Sequence, residues 1–227
     1  MAATVRHATM PAMHNMFIRR TLLLALVLPG VAAAALPPLS EYQTALQAVP
    51  DFDRGAVLFA QCAACHGDEG QGLSDGTTPR IAGQHFHVLA KQLIDFRRGK
   101  RWDFRMAQRA KSHLGGFQDI ADVAFYLSAQ PRRSDASASS DETLAEGASL
   151  FASKCSACHG KQGEGDEVEA VPMLAGQHPA YLLRQMYDAV DERRPTLARL
   201  HSQPIKSLDF EQLHAVADFI SQLDAEN

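Results

Sequence analysis

Apolar residues recur along this chain at helical spacing. Leu89, Leu93 and Phe96 share one face of a helix, and Leu182, Leu183, Met186 and Val190 share one face of another. Ile120, Val123, Ala124 and Leu127 stand at i, i+3, i+4 and i+7, and Leu213, Val216, Ala217 and Ile220 repeat that spacing. Two amphipathic helices are predicted there, each closing a domain. No stretch alternates apolar with polar residues as a half-buried strand would, so the expected fold is all-α. Near the N-terminus the pattern changes: Arg19 and Arg20 precede an apolar run from Leu22 to Leu28, then Val31 and four alanines, Ala32 to Ala35. That order predicts a signal peptide over residues 1–35, with cleavage near Ala33 to Ala35 and the mature chain in the periplasm. The run is too short to span a bilayer. Met16 directly precedes this segment and is a candidate natural start, with residues 1–15 structureless.

The two closing helices are part of a longer repeat. Pro79 maps to Pro172 and Ala82-Gly83-Gln84-His85 to Ala175-Gly176-Gln177-His178, at an offset of 93 residues. Gly55, Leu58 and Phe59 map to Gly147, Leu150 and Phe151 at 92, which one inserted loop residue explains. The chain therefore reads as two copies of one domain, residues 36–130 and 142–227. Between them, residues 131–141 hold four serines and no apolar periodicity, and read as a solvated linker.

The offset of 93 also carries the chemistry. Cys62-Ala63-Ala64-Cys65-His66 and Cys155-Ser156-Ala157-Cys158-His159 are both C-x-x-C-H. Four cysteines in an exported chain suggest two disulfides, and C-x-x-C alone also serves thioredoxin-like redox pairs and half-sites for zinc. Here a histidine follows the second cysteine both times, no further cysteine pair completes a zinc set, and the βαβ context of a thioredoxin is missing. The motif instead predicts two covalent c-type haems: each pair of thiols, Cys62 with Cys65 and Cys155 with Cys158, adds across haem vinyl groups, and His66 or His159 ligates the iron.

At these residues the chain resembles class I c-type cytochromes, and from about Asp51 to Leu223 it resembles the di-haem cytochrome c4 family. The resemblance implies two tandem class I cytochrome c domains, each a few helices wrapped round a covalently bound haem. It also implies that the first and last helices of each copy cross at a glycine, with Gly55 and Phe59 meeting Tyr126 and Gly147 and Phe151 meeting Phe219. Pro79 and Pro172, each 13 residues after the histidine of its motif, would offer the carbonyl that orients the proximal ring. A simple loop-breaking role is the alternative.

The family's sixth ligand is methionine. Met106, 40 residues after His66 and in a polar segment read as a loop, is the expected ligand of the first haem. In the second copy the equivalent position is Arg199, which cannot ligate. Met173 lies beside Pro172 on the proximal side, and Met186 falls on a helical face that suits core packing. His201, 42 residues after His159 and also read as a loop residue, is the remaining candidate; a solvated surface histidine and an open iron site are the alternatives. Because methionine raises the potential relative to a second histidine, ligation by His201 predicts the lower potential for the second haem. His85 and His178 are read as structural or surface groups at helix starts, and Trp102 has no counterpart.

Charge changes the picture modestly. Residues 37–130 hold ten Lys/Arg and ten Asp/Glu, whereas residues 131–227 hold nine and sixteen, a balance of −7. Arg97, Arg98, Lys100, Arg101, Arg105, Arg109 and Lys111 gather around Met106 as a solvated face or a surface that steers an acidic redox partner. No basic excess suggests nucleic acid. The sequence thus predicts a periplasmic relay of single electrons, not an enzyme, with any membrane contact limited to peripheral association; the family resemblance implies a quinol-oxidising complex as donor and a terminal oxidase as acceptor. One rival is a di-haem peroxidase-like enzyme or gas sensor using an open second haem. Another is an electron-accepting subunit docked on a dehydrogenase.

Overall fold

The computed structural model describes residues 2, 40–134 and 139–224. Apart from residue 2, the expected signal peptide lies outside these residues, as does part of the expected linker. Among the described residues the secondary structure is helical, apart from one isolated bridge between Asp166 and Val171.

The first half comprises α1 (Glu41–Gln47), α2 (Phe52–His66), α3 (Phe86–Arg97), α4 (Phe104–Ser112) and α5 (Phe117–Ser128). The second comprises α6 (Asp141–Lys154), α7 (Ser156–His159), α8 (Pro179–Val190), α9 (Pro195–Lys206) and α10 (Phe210–Gln222). Their starts follow from local chemistry: Asp51, Asp103, Ser140 and Asp209 each accept a hydrogen bond from a backbone N–H of the first turn. Helix α1 has no counterpart in the sequence reading; Ser40 and Gln43 form a capping box there, and Ala45 enters the core.

Two cores form, one per half. Phe59, Leu89, Ile94, Ile120, Val123 and Leu127 centre the first, and Phe151, Leu182, Val216 and Ile220 the second, with Met186 packed against it. In each half the first long helix crosses the last at a glycine. A Cβ on Gly55 would run into the Asp122 carbonyl, and one on Gly147 into the Ala215 carbonyl. The close approach brings Phe59 to 5.5 Å from Tyr126 and Phe151 to 5.7 Å from Phe219, ring centroid to centroid.

The halves pack as one unit, Pro38–Asn227. The connecting segment is not wholly solvated: Arg132 is buried, with Nε donating to Ala175 O (2.6 Å) and Nη1 to Ala82 O (3.0 Å). Ala82 and Ala175 are repeat equivalents, so one guanidinium tethers the same carbonyl of both halves. A second tie repeats in register. Arg101 donates to Gln92 (2.6 Å) and across to Tyr181 (2.6 Å) and Gln185 (3.1 Å), and Arg194 donates to Gln185 (2.7 Å) and across to Gln92 (2.9 Å).

Candidate functional site

Helix α2 delivers the first motif. Cys62 and Cys65, one turn apart, lie on one side of its C-terminal end; Cys62 is half-buried against the core and Cys65 exposed. The helix ends at His66 because Gly67 takes a positive φ of 76°, which reverses the chain there. The His66 imidazole is 6 % exposed, and its Nδ1–H donates to the Pro79 carbonyl at 3.2 Å. That bond fixes the tautomer and leaves Nε2 as the free lone pair. Burial holds the ring below the ordinary histidine range; the Pro79 bond works against it, and Arg105 and Asp103 act in opposite senses. A neutral imidazole is the form that binds metal.

The second motif has the same geometry on a broken helix. Backbone at Cys155 departs from helical values, so α6 stops and α7 carries the remaining residues. His159 is buried, its Nδ1–H donates to Pro172 O at 3.0 Å, and burial lowers its pKa. Burial pushes the half-buried Cys155 thiol up to about 11. In both halves, then, the histidine of the motif donates to the carbonyl of the proline 13 residues on.

Met106 and His201 are on helices, not in loops. Met106 sits in the first turn of α4, its N–H donating to Asp103 at 3.0 Å. Asp103 and Arg105, just before it, lie close enough for their charges to act on His66, and Arg109 about one turn on acts on Cys62. His201 lies within α9, which begins at Pro195 and runs through Pro204 near its end. Its Nδ1–H donates to Leu197 O at 3.1 Å, and its ring faces His159 at 5.9 Å between centroids, tilted by 46°. Met173 is buried beside Pro172, and Arg199 is exposed on α9. The loop expectation failed because α4 buries only small residues, Ala107 and Ala110, and α9 contains a proline; neither gives a strong helical signal.

The four thiols are free of disulfides, and no three His, Cys, Asp or Glu side chains converge as a bare metal ion would need among the described residues. Two thiols flanking an apolar core, with one buried neutral imidazole whose Nδ1 is occupied, suit a covalently held metalloporphyrin. The Cytochrome c family model matches residues 52–130 and 144–224. The chain belongs to the cytochrome c family. It is 32% identical to cytochrome c4 of Azotobacter vinelandii over 74% of this chain and 79% of that one. The crystal structure of reduced recombinant cytochrome c4 from Pseudomonas stutzeri superimposes with a TM-score of 0.69 at 26% identity, covering 78% of this chain and all of that one. A thiosulfate dehydrogenase electron acceptor from Thiomonas intermedia is 31% identical over 71% of this chain and 78% of its own length. This cytochrome has the all-α, two-domain fold of cytochrome c4, two haem c groups and an electron-transfer function. The peroxidase or gas-sensor alternative finds no support.

Sequence reasoning missed the polar residues between the halves. Gln84, Gln177, Arg132 and the Arg101–Gln185 and Arg194–Gln92 pairs look like surface residues in the sequence. The repeated Ala-Gly-Gln-His segment was the available signal; it marked His85 and His178, and His178 is buried at the interface, not on the surface.

Proposed function

We propose that Cys62 with Cys65 and Cys155 with Cys158 tether the two haems, that His66 and His159 are their proximal ligands, and that Pro79 and Pro172 orient those rings. Met106 is the sixth ligand of the first haem and His201 of the second. One observation carries the unusual assignment. His159 and His201 face each other with both Nδ1 atoms occupied by carbonyls, at a separation that accommodates two metal–nitrogen bonds of about 2 Å each. Bound haem supplies an iron that gains and loses one electron without bond-making in the protein. The chain's part is to hold each ring neutral, keep it oriented and exclude water from it.

The protein is a periplasmic relay, exported by its N-terminal segment, and not itself an enzyme. It accepts electrons from a quinol-oxidising complex or a dehydrogenase and passes them towards a terminal oxidase. The thiosulfate dehydrogenase electron acceptor among its relatives supports the dehydrogenase. Exposed Trp102 and Phe104, beside Lys100, Arg105 and Arg109 on the Met106 side, suit an acidic partner.

Potentiometric titration tests the ligands. Two steps are expected, the lower belonging to the haem on Cys155 and Cys158, and His201→Ala opens that haem to carbon monoxide while leaving the other unreactive. Two equal potentials, unchanged in His201→Ala, refute the assignment. The tethers are checked by alkylating the denatured holoprotein: none of the four thiols reacts, and the mass exceeds that of the polypeptide by two haems.

A further inference from the structure

Each half carries Ala-Gly-Gln-His, and each glutamine reaches into the other half. Gln177 Oε1 accepts the Arg80 N–H at 2.9 Å, and Gln177 Nε2 donates to Arg80 O at 2.7 Å. In mirror fashion Gln84 Oε1 accepts the Met173 N–H and Gln84 Nε2 donates to Met173 O, both at 2.9 Å. Both side chains are buried. Each Oε1 also accepts the N–H of the following histidine at 3.0 Å, which anchors the amide to the start of α3 or α8. Those histidines cross as well: His85 Nε2–H donates to Glu164 O at 2.7 Å and His178 Nε2–H to Gln71 O at 2.8 Å.

The residues grasped are not arbitrary. Arg80 and Met173 each follow the proline that receives the proximal histidine. The Arg80 N–H and the Pro79 C=O belong to one peptide group, as do the Met173 N–H and the Pro172 C=O. A single chain of hydrogen bonds therefore runs from His66 Nδ1–H through that peptide to Gln177 Oε1, and from His159 Nδ1–H through its peptide to Gln84 Oε1.

We propose that Gln84 and Gln177 are positioning residues exchanged between the halves: the amide of each half sets the strength of the proximal histidine's hydrogen bond, and so the reduction potential of the haem, in the other half. The proposal rests on His66 and His159 being the iron ligands. An acceptor on the peptide N–H polarises the peptide, and its carbonyl becomes a stronger acceptor for the imidazole N–H. The imidazole then donates more charge to the iron, which favours the oxidised state. Deleting the amide reverses the effect in the opposite half.

The test uses the holoprotein and potentials resolved by haem, following the ring resonances of His66 and His159 by nuclear magnetic resonance during reductive titration. Gln177→Met keeps the side chain's length and removes the amide. It is expected to favour reduction of the haem on Cys62 and Cys65 by about threefold, roughly 30 mV at 59 mV per tenfold for one electron, and to leave the haem of its own half in place. Gln84→Met gives the mirror result. Gln177→Glu keeps the acceptor and returns the first potential to or below that of the parent protein, which keeps the test decisive if Gln177→Met folds poorly. A shift in the haem of the mutated half, equal shifts in both, or no shift overturns the proposal. A mass short of two haems, or a His66 ring resonance that iron oxidation does not displace, overturns it through the ligand assignment instead.

Discussion

Replacing Gly147 by alanine drives a methyl group into the backbone of α10. The added carbon would meet the Ala215 carbonyl oxygen, with the carbonyl carbon at 2.7 Å and Phe219 Cβ at 2.8 Å. Ordinary carbon contacts begin near 3.5 Å, so the helices must part by about 1 Å. Neither obstacle is the free end of a flexible side chain. Two effects then compete: alanine favours the helix by about 1 kcal/mol over glycine, whereas overpacking against backbone costs about 3 kcal/mol, the upper end of its usual range. Parting the helices also loosens the 5.7 Å Phe151–Phe219 contact, which contributes about 0.5–1.5 kcal/mol beyond its buried area.

The net loss is about 2.5–3.5 kcal/mol, which for a unit of this size lowers Tm by about 5–14 °C. Thermal unfolding of the holoprotein, followed by far-ultraviolet circular dichroism, measures it. Gly116→Ala is the control, since its methyl meets nothing within 4 Å and its backbone is extended. The haem site responds too, because Cys155 directly follows α6. A Gly147→Ala protein melting at or above the parent temperature refutes the crossing as described.

Asp122 is fully buried, accepts the Asp51 N–H (2.9 Å) and Gln118 (2.8 Å), and pairs with Arg54. Asp122→Ala, the residue type at the equivalent position Ala215, should cost about 1–3 kcal/mol by orphaning the start of α2, measured by denaturant unfolding. Reversing charge at Lys100, Arg105 and Arg109 should slow electron exchange with an acidic partner at low salt, the difference fading as ionic strength rises, as stopped-flow absorbance would show. Pro79→Ala keeps the carbonyl that His66 uses, so the first haem's potential should change less than in Gln177→Met; a larger change would assign the orientation of His66 to the pyrrolidine ring.

What could be read from the sequence followed the kind of signal each part leaves. Helices with branched or large apolar stripes, α3, α5, α8 and α10, were legible because their buried faces recur at 3.6 residues. Helices α1, α4 and α9 were not, because the buried residues are Ala45, Ala107, Ala110 and Ala198, which carry little hydrophobic contrast. The proximal side was legible because cysteines and histidine are contiguous and the prolines lie at a fixed spacing. Met106 and His201 stood out in the sequence only by register, and the approach of His201 to His159 depends on the packing of α9, which no local pattern records.

The interface shows why the repeat offset matters more than the repeat itself. Ala82 and Ala175, Gln84 and Gln177, His85 and His178, Gln92 and Gln185, and Arg101 and Arg194 all obey the offset of 93; the two alanines share Arg132 of the connecting segment, and the other four pairs contact the opposite half. Matching residues facing one another generate an approximate two-fold relation, because an isologous contact needs the same group on both sides. Where equivalent positions carry different residues, the halves differ in chemistry: Met106 against Arg199, with His201 nearby, and Asp122 against Ala215 at the helix crossing. On the proposed ligands, symmetric docking couples the proximal sides, while α4 and α9, unequal in Met106 and His201, set the two haems at different potentials. A downhill step between two fixed sites requires that difference, and a two-fold molecule with identical ligands would lack it.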